Sequence, residues 1–127
     1  MAAELLIKEG KNTPAVNGDP SKGRLTFEGN SFPENVKYFY DPIMIWLDET
    51  KGHCGSLHIE SQFYYMASSS VIAFLRMLKK AEELFSANNV TMRWCYEEGD
   101  DDIKKIGEDF SKLLDINFEF QEVQEEV

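Results

Sequence analysis

Hydrophobic and polar residues alternate along several short segments of the chain, which is typical of strands that bury one side. In the longest segment, Leu57, Ile59, Phe63 and Tyr65 fall on one side, with mostly polar residues between them. The pattern predicts five strands, at residues 4–9, 24–28, 57–65, 90–96 and 118–120. Residues 11–23 and 29–33 are rich in Gly, Pro, Asn and Ser, and we expect them to be loops.

Three other segments carry apolar residues at steps of three and four, the spacing of one helix face. The first begins at Asn35 and contains Pro42, which predicts either a helix kinked at Pro42 or one that starts only at Asp41. The second follows three serines at 68–70. The third begins with three aspartates at 100–102, whose charge suits the positive end of a helix dipole. Its predicted inward residues are Ile103, Ile106, Phe110 and Leu113.

The order of these elements is β-β-α-β-α-β-α-β, which predicts an α/β fold with a mixed, mostly parallel sheet. Polar residues at alternate strand positions indicate an open sheet face, so we expect the helices mainly on the other face. The chain has 127 residues, close to the size of one ordinary domain. No internal repeat or linker divides it, and we expect a single domain over residues 1–127.

The charge balance excludes several classes of partner. Lys and Arg number 13 and Asp and Glu 23, so the net charge is −10, the wrong sign for nucleic-acid phosphates or an anionic membrane surface. No apolar run is long enough to span a bilayer, and the start of the chain lacks the basic and apolar segments of a secretory leader. The two cysteines are expected to be free thiols. We therefore expect a cytoplasmic protein.

Most of the negative charge lies in the last quarter of the chain. Residues 97–127 hold twelve acids and three lysines. Two interpretations remain open for this segment. It is either a solvated helix face followed by an acidic tail, or a patch for a basic partner.

The sequence offers little catalytic chemistry. His53, Cys54 and His58 lie close together and, with Cys95, are residue types that bind zinc. The spacing of known zinc motifs is missing, so a small metalloenzyme is the least supported functional hypothesis. No glycine-rich phosphate loop or nucleophile elbow is present. We therefore expect no cofactor, no metal and no enzymatic activity.

The serines at 68–70 lie between a predicted strand and a predicted helix. One interpretation is that a serine caps the helix by accepting a hydrogen bond from a free backbone N–H. The other is a phosphorylation switch, because a phosphate at a helix start meets unpaired N–H groups and the positive end of the dipole. Residues 61–81 contain Arg76, Lys79 and Lys80 and no acid, which favours added negative charge.

Four ordered stretches of the chain resemble the SiaC family of regulatory phosphoproteins, over about residues 12–123. Residues 13–19 include Thr-Pro-Ala-Val and Gly-Asp, and residues 29–35 contain the more specific Pro-Glu-Asn. Residues 65–70 resemble the family's aromatic-x-Asn-Thr-Ser-Ser segment, and residues 90–97 its Val-x-x-x-Trp-x-Tyr strand. The resemblance implies a fold similar to STAS domains and anti-sigma-factor antagonists.

The resemblance also implies a bacterial, non-enzymatic signalling switch. Its expected partners are a dedicated protein kinase, a metal-dependent Ser/Thr phosphatase, and a diguanylate cyclase or other effector that the unphosphorylated form binds and activates. Such a switch would regulate cyclic di-GMP and biofilm formation. An alternative within the same fold is an anti-sigma-factor antagonist of a partner-switching module.

The family's phosphorylated residue falls on Ser68, and Ser69 is the substitute, because this chain has Ala67 and Ser68 where the family has Asn and Thr. In parallel crossover units, the loops that lead into helices emerge at one end of the sheet. We therefore expect the loop at 33–35 to lie beside the serines and to share a docking surface with them. The predicted partner-binding residues are Pro33, Glu34, Asn35, Tyr65, Ser68 and Ser69.

Overall fold

The computed structural model describes residues 3–124. The strands are β1 (Leu5–Ile7), β2 (Ala15–Asp19), β3 (Arg24–Ser31), β4 (Leu57–Met66), β5 (Val90–Glu97) and β6 (Asn117–Val123). The helices are α1 (Val36–Thr50), α2 (Ser68–Phe85) and α3 (Asp101–Leu113), and a 3₁₀ turn covers Ala87–Asn89. The ends of the predicted domain, with Glu125 and Glu126 of the predicted acidic tail, lie outside the described residues.

The six strands form one mixed sheet in the order β1-β2-β3-β4-β5-β6. The pairs β1–β2 and β2–β3 are antiparallel, and the three remaining pairs are parallel. Crossover connections between parallel strands are right-handed. Three such crossovers that all step in the same direction across the sheet therefore place their helices on the same face. The α/β fold with a mixed sheet is therefore confirmed, while the likeness to STAS domains stays a prediction.

One face of the sheet is covered by the helices and the other is open. On the covered face, Phe63, Phe74 and Trp94 are almost completely buried and pack edge to face or tilted. The Trp94 indole N–H donates to the carbonyl of Ile103 at 2.8 Å, which ties β5 to α3. On the open face, Arg93 of β5 is half exposed and lies near Glu60 of β4 at 3.7 Å. The predicted one-sided arrangement of helices is confirmed.

The prediction of a loop over residues 11–23 is wrong, because Ala15–Asp19 forms β2. Gly, Asn and Asp have low strand propensity, so the local sequence does not mark this strand. Pairing decides it instead, since β2 lies between β1 and β3 and bonds to both. Gly18 is buried there, and a Cβ would come within 2.8 Å of the Trp46 indole. The element order therefore has one more strand than expected.

The predicted break at residues 29–33 is also misplaced, since β3 continues to Ser31. Gly29 has φ of 130° and a Cβ there would lie 3.2 Å from the Cα of Pro14. A glycine accommodates both the positive φ and the close approach, so the strand passes through it.

The structure corrects one expectation for each of the helices α1 and α3. The helix α1 starts at Val36, so the alternative in which Asp41 starts it is wrong, and Pro42 lies inside the helix on an exposed position. In α3, the predicted inward position of Leu113 is wrong, because its side chain is 58% exposed. The chain leaves α3 at that point, and Leu114 is buried in its place.

Candidate functional site

The predicted loops meet at the carboxyl edge of the sheet, where β3 and β4 end side by side. Ser31 pairs with Met66 at the ends of the two strands. The backbone N–H of Ala67 donates to the carbonyl of Ser31 at 2.9 Å. The helices α1 and α2 both begin from this edge, and the predicted neighbourhood of the two loops is confirmed.

A buried chain of hydroxyl groups joins the two helix starts to the end of β3. Ser31 Oγ donates to Ser70 Oγ at 2.8 Å, and Ser31 Oγ and Tyr40 Oη are also 2.8 Å apart. A serine hydroxyl has one hydrogen, so Ser31 accepts the hydrogen bond from Tyr40. Ser31 and Ser70 have no exposed surface. The network therefore fixes α1 and α2 against the same strand end.

Burial also changes the chemistry of the tyrosine in this network. The pKa of Tyr40 is raised to about 12, because desolvation disfavours the phenolate. The hydroxyls of Ser31 and Ser70 have the opposite and smaller effect on this pKa, because a hydroxyl that donates to the phenolate favours the ionised form. Tyr40 is thus a neutral hydrogen-bond donor at ordinary pH, as the direction of the network requires.

The three serines at the start of α2 have different environments. Ser70 is buried in the hydroxyl network, whereas Ser68 and Ser69 are exposed. The prediction that a serine caps the helix is wrong, because the N-cap is Ala67, which has no side-chain acceptor. The N–H groups of the first turn therefore have no capping side chain. The accessible hydroxyls are those of Ser68 and Ser69.

The predicted partner-binding loop leads into α1, which differs from α2 in having a side chain that caps its start. Asn35 is the N-cap of α1, and its side-chain oxygen accepts a hydrogen bond from the N–H of Tyr38 at 3.0 Å. Pro33 is partly buried, while Glu34 and Asn35 are exposed. Asn35 therefore has a structural role that also orients the loop.

A bulge in β4 turns Tyr65 out of the core. The ladder with β3 passes from Gly29–Phe63 to Asn30–Tyr65 and so skips Tyr64. Strict alternation predicts Tyr65 on the buried side, but its side chain is 55% exposed. Its ring packs edge to face on Phe32, with centroids 5.6 Å apart. Bulges often re-aim a side chain beside a functional site, and here the result is an exposed aromatic pair at the carboxyl edge.

A groove of about 320 Å³ runs between the first halves of α1 and α2. Its apolar lining includes Tyr40 and the exposed Ile72. Its polar lining includes Lys37, Ser69 and Arg76. Of the two exposed serines, only Ser69 belongs to the groove within the part of the chain that the structure describes.

Two cationic side chains, Lys37 and Arg76, line the groove together with the acidic Asp41. Lys37 pairs with Asp41 one turn along α1, and both side chains are well exposed. Arg76 forms no ion pair with any residue from 3 to 124. Neither α1 nor α2 has an acid in its first turn. The first turns of the two helices are therefore compatible with an added negative charge.

The four residues of the alternative metal hypothesis lie in different environments. His53 and His58 are exposed, on a turn and on the open sheet face, whereas Cys95 is buried on β5. Cys54 and Cys95 are free thiols, and burial raises the pKa of both. Across residues 3–124, no three His, Cys, Asp or Glu side chains are grouped as metal ligands would be.

None of the helices within residues 3–124 is long and apolar enough to cross a bilayer.

Sequence reasoning missed the hydroxyl network and the partner of Tyr65. The sequence did carry one signal for Ser31. If the alternation of Leu25 and Phe27 is continued through Gly29, it places the Ser31 side chain inward. The pairing of Phe32 with Tyr65 depends on a bulge, for which the strand sequence carries no marker.

Three comparisons with known proteins agree with this architecture. Residues 7–123 match the model of the SiaC family regulatory phosphoproteins. A protein of Pseudomonas aeruginosa strain UCBPP-PA14 is 28% identical over 121 residues, which cover 94% of this chain and 96% of that protein.

Two solved structures from Pseudomonas aeruginosa have the same fold. One is SiaC, with a TM-score of 0.86 and 26% identity, covering 95% of this chain and 99% of that chain. The other is a diguanylate cyclase SiaD in complex with its activator SiaC, again with a TM-score of 0.86 and 26% identity, covering 94% and 99%. With the family match over nearly the whole sequence, these findings establish that the chain belongs to the SiaC family of regulatory phosphoproteins.

Proposed function

We propose that this protein is a non-enzymatic switch whose unphosphorylated form binds and activates an effector, with a diguanylate cyclase as the effector. The observation that carries the proposal is the carboxyl edge itself. It presents two accessible serines, Ser68 and Ser69, close to an exposed aromatic pair on a rigid support. The structural relative that is described as an activator in complex with a diguanylate cyclase supports the choice of effector.

The aromatic pair and the loop at 33–35 supply the binding surface in this proposal. Phe32 and Tyr65 are 37% and 55% exposed, and large exposed aromatic side chains are common anchors of protein interfaces. Pro33, Glu34 and Asn35 continue the surface along the loop. The hydroxyl network holds the strand ends in place, so little ordering is required on binding.

Phosphorylation of Ser68, with Ser69 as the substitute, turns this surface off. A dedicated kinase transfers the terminal phosphoryl group of ATP to the serine oxygen. The new O–P bond forms as the bond to ADP breaks, and the serine proton leaves to the kinase. A metal-dependent phosphatase reverses the change by hydrolysis to serine and inorganic phosphate. Since ATP is the donor, the switch operates in the cytoplasm.

The added phosphate carries about −1.5 to −2 charges at neutral pH. At an interface edge it must lose water and face the effector surface, which opposes docking by desolvation and repulsion. The protein itself tolerates the group, because the first turn of α2 has unpaired N–H groups and no acid. Phosphorylation therefore lowers effector affinity without unfolding the switch.

The test compares two neighbouring tyrosines in a purified system with the cyclase and GTP, measuring cyclic di-GMP formation against switch concentration. Tyr65→Ala removes one ring of the aromatic pair, and we expect at least about a tenfold higher concentration for half-maximal activation. Tyr64→Ala is the matched control, since Tyr64 instead approaches Glu28 at 3.2 Å. Lack of activation by the wild-type protein, or equal loss in both variants, would contradict the proposal.

A further inference from the structure

The groove between α1 and α2 contains two cationic side chains that the proposed docking surface does not use. Lys37 and Arg76 line it together with Asp41 and Ser69, whereas Ser68 lies outside it. The two candidate acceptor serines are adjacent in sequence, yet they face different surroundings. The origin of a phosphoryl group at Ser69 rests on the proposed function, whereas the geometry of the groove is independent of the effector.

Helix geometry brings Ser69 and Arg76 to one line along α2. Seven residues correspond to nearly two full turns, so the two side chains leave the helix within about 20° of each other and about 10 Å apart along the axis. Side chains in a helix lean toward its N-terminus, which directs the long Arg76 side chain toward Ser69. Ser68 is rotated by about 80° from Arg76, too far for the same approach.

Both cations are available to an incoming anion. Arg76 is exposed and has no ion-pair partner among the described residues. Lys37 is paired with Asp41, but a pair between two exposed side chains contributes little to stability. A phosphate dianion in the groove competes with a single carboxylate for Lys37 and forms charge-assisted hydrogen bonds with the Arg76 guanidinium.

We propose that the two serines give two different phosphorylated states. A phosphoryl group on Ser69 is held in the groove by Arg76 and Lys37 and bridges α1 to α2. A phosphoryl group on Ser68 projects from the same turn toward solvent and the docking surface. The position of the modification thus decides how the charge acts: a phosphate on Ser68 meets the partner directly, whereas a phosphate on Ser69 acts through the two helices that it bridges.

The test places phosphoserine at one position during protein synthesis, so that no kinase is needed. The phosphorus resonance of each protein is titrated with pH, alone and with Arg76→Gln. With phosphoserine at 69, we expect Arg76→Gln to move the titration midpoint upward by about half a pH unit, because a nearby cation favours the dianion. With phosphoserine at 68, the same substitution should leave the midpoint unchanged.

The matched control is Lys79→Gln, which removes the same charge from an exposed position on α2 outside the groove. We expect it to leave both midpoints unchanged. Equal shifts at the two positions, or no shift at 69, would overturn the inference. The result is separate from the proposed function, because a protein that fails to activate a cyclase still reports the position of its phosphate.

Discussion

The phenol of Tyr40 provides a sharp test of how the two helix starts are held together. Tyr40 is 3% exposed, and its pKa is raised from 10.0 to about 12 by burial. The folded protein therefore holds the phenol proton more tightly than the unfolded chain. The stabilisation is complete below about pH 10 and is lost as the pH rises through the pKa of the folded state. The difference corresponds to about 3 kcal/mol.

The variant Tyr40→Phe removes both the titrating group and the hydrogen bond that Ser31 accepts. Near neutral pH, we expect it to be about 1–2 kcal/mol less stable than the wild type, because a buried hydroxyl loses its partner. As the pH increases, only the wild type loses the stabilisation from the raised pKa. The gap between the two proteins should close near about pH 11 and reverse above it.

Urea unfolding followed by tryptophan fluorescence measures both free energies of unfolding across this pH range. Alkaline pH also acts on other side chains of the protein. Both proteins share that effect, so the difference between them isolates Tyr40. A difference that stays constant with pH would refute the assignment of a buried, proton-donating phenol to this network.

Two further substitutions test the packing of α3 and the start of α1 by thermal unfolding. Gly107→Ala should destabilise the protein by about 2 kcal/mol or more, because a Cβ there overlaps the buried Trp94 indole. Gly55→Ala is its control, since nothing lies within 4 Å of that Cβ, and a loss as large as for Gly107→Ala would contradict the packing argument. Asn35→Ala should cost about 1 kcal/mol through the lost cap to Tyr38, and an unchanged stability would show that the cap contributes nothing.

Periodicity predicted the elements that bury a continuous apolar stripe. The strands β4 and β5 and the helices α1 and α2 were recognisable because their apolar residues repeat at the period of the element. The one-sided sheet also followed from alternation, since a polar residue at every second position requires an open face.

Features that depend on distant pairing were not predictable in the same way. The strand β2 exists because β1 and β3 bond to it, and its Gly and Asn residues argue locally for a loop. The bulge at Tyr64 shifts which side chain returns to the core, so Tyr65 was expected inward and lies outward. Both differences result from sheet register, which a single strand does not specify.

The candidate site was partly accessible from the sequence. The crossover rule placed the loop at 33–35 next to the serines, and the structure confirms this. The different environments of the three serines could not be predicted from the sequence, because the burial of Ser70 depends on its packing with Ser31 and Tyr40. The functional roles of Ser68 and Ser69 stay predictions.

The central claim is that phosphorylation at the carboxyl edge controls effector binding. The most direct measurement is the affinity of the purified cyclase for the wild-type protein and for the same protein carrying phosphoserine at 68, before and after enzymatic removal of the phosphate. The account predicts that the phosphorylated protein binds at least about tenfold more weakly than the wild type, and that the dephosphorylated protein binds like the wild type. Equal affinity of the phosphorylated and unphosphorylated proteins would contradict it.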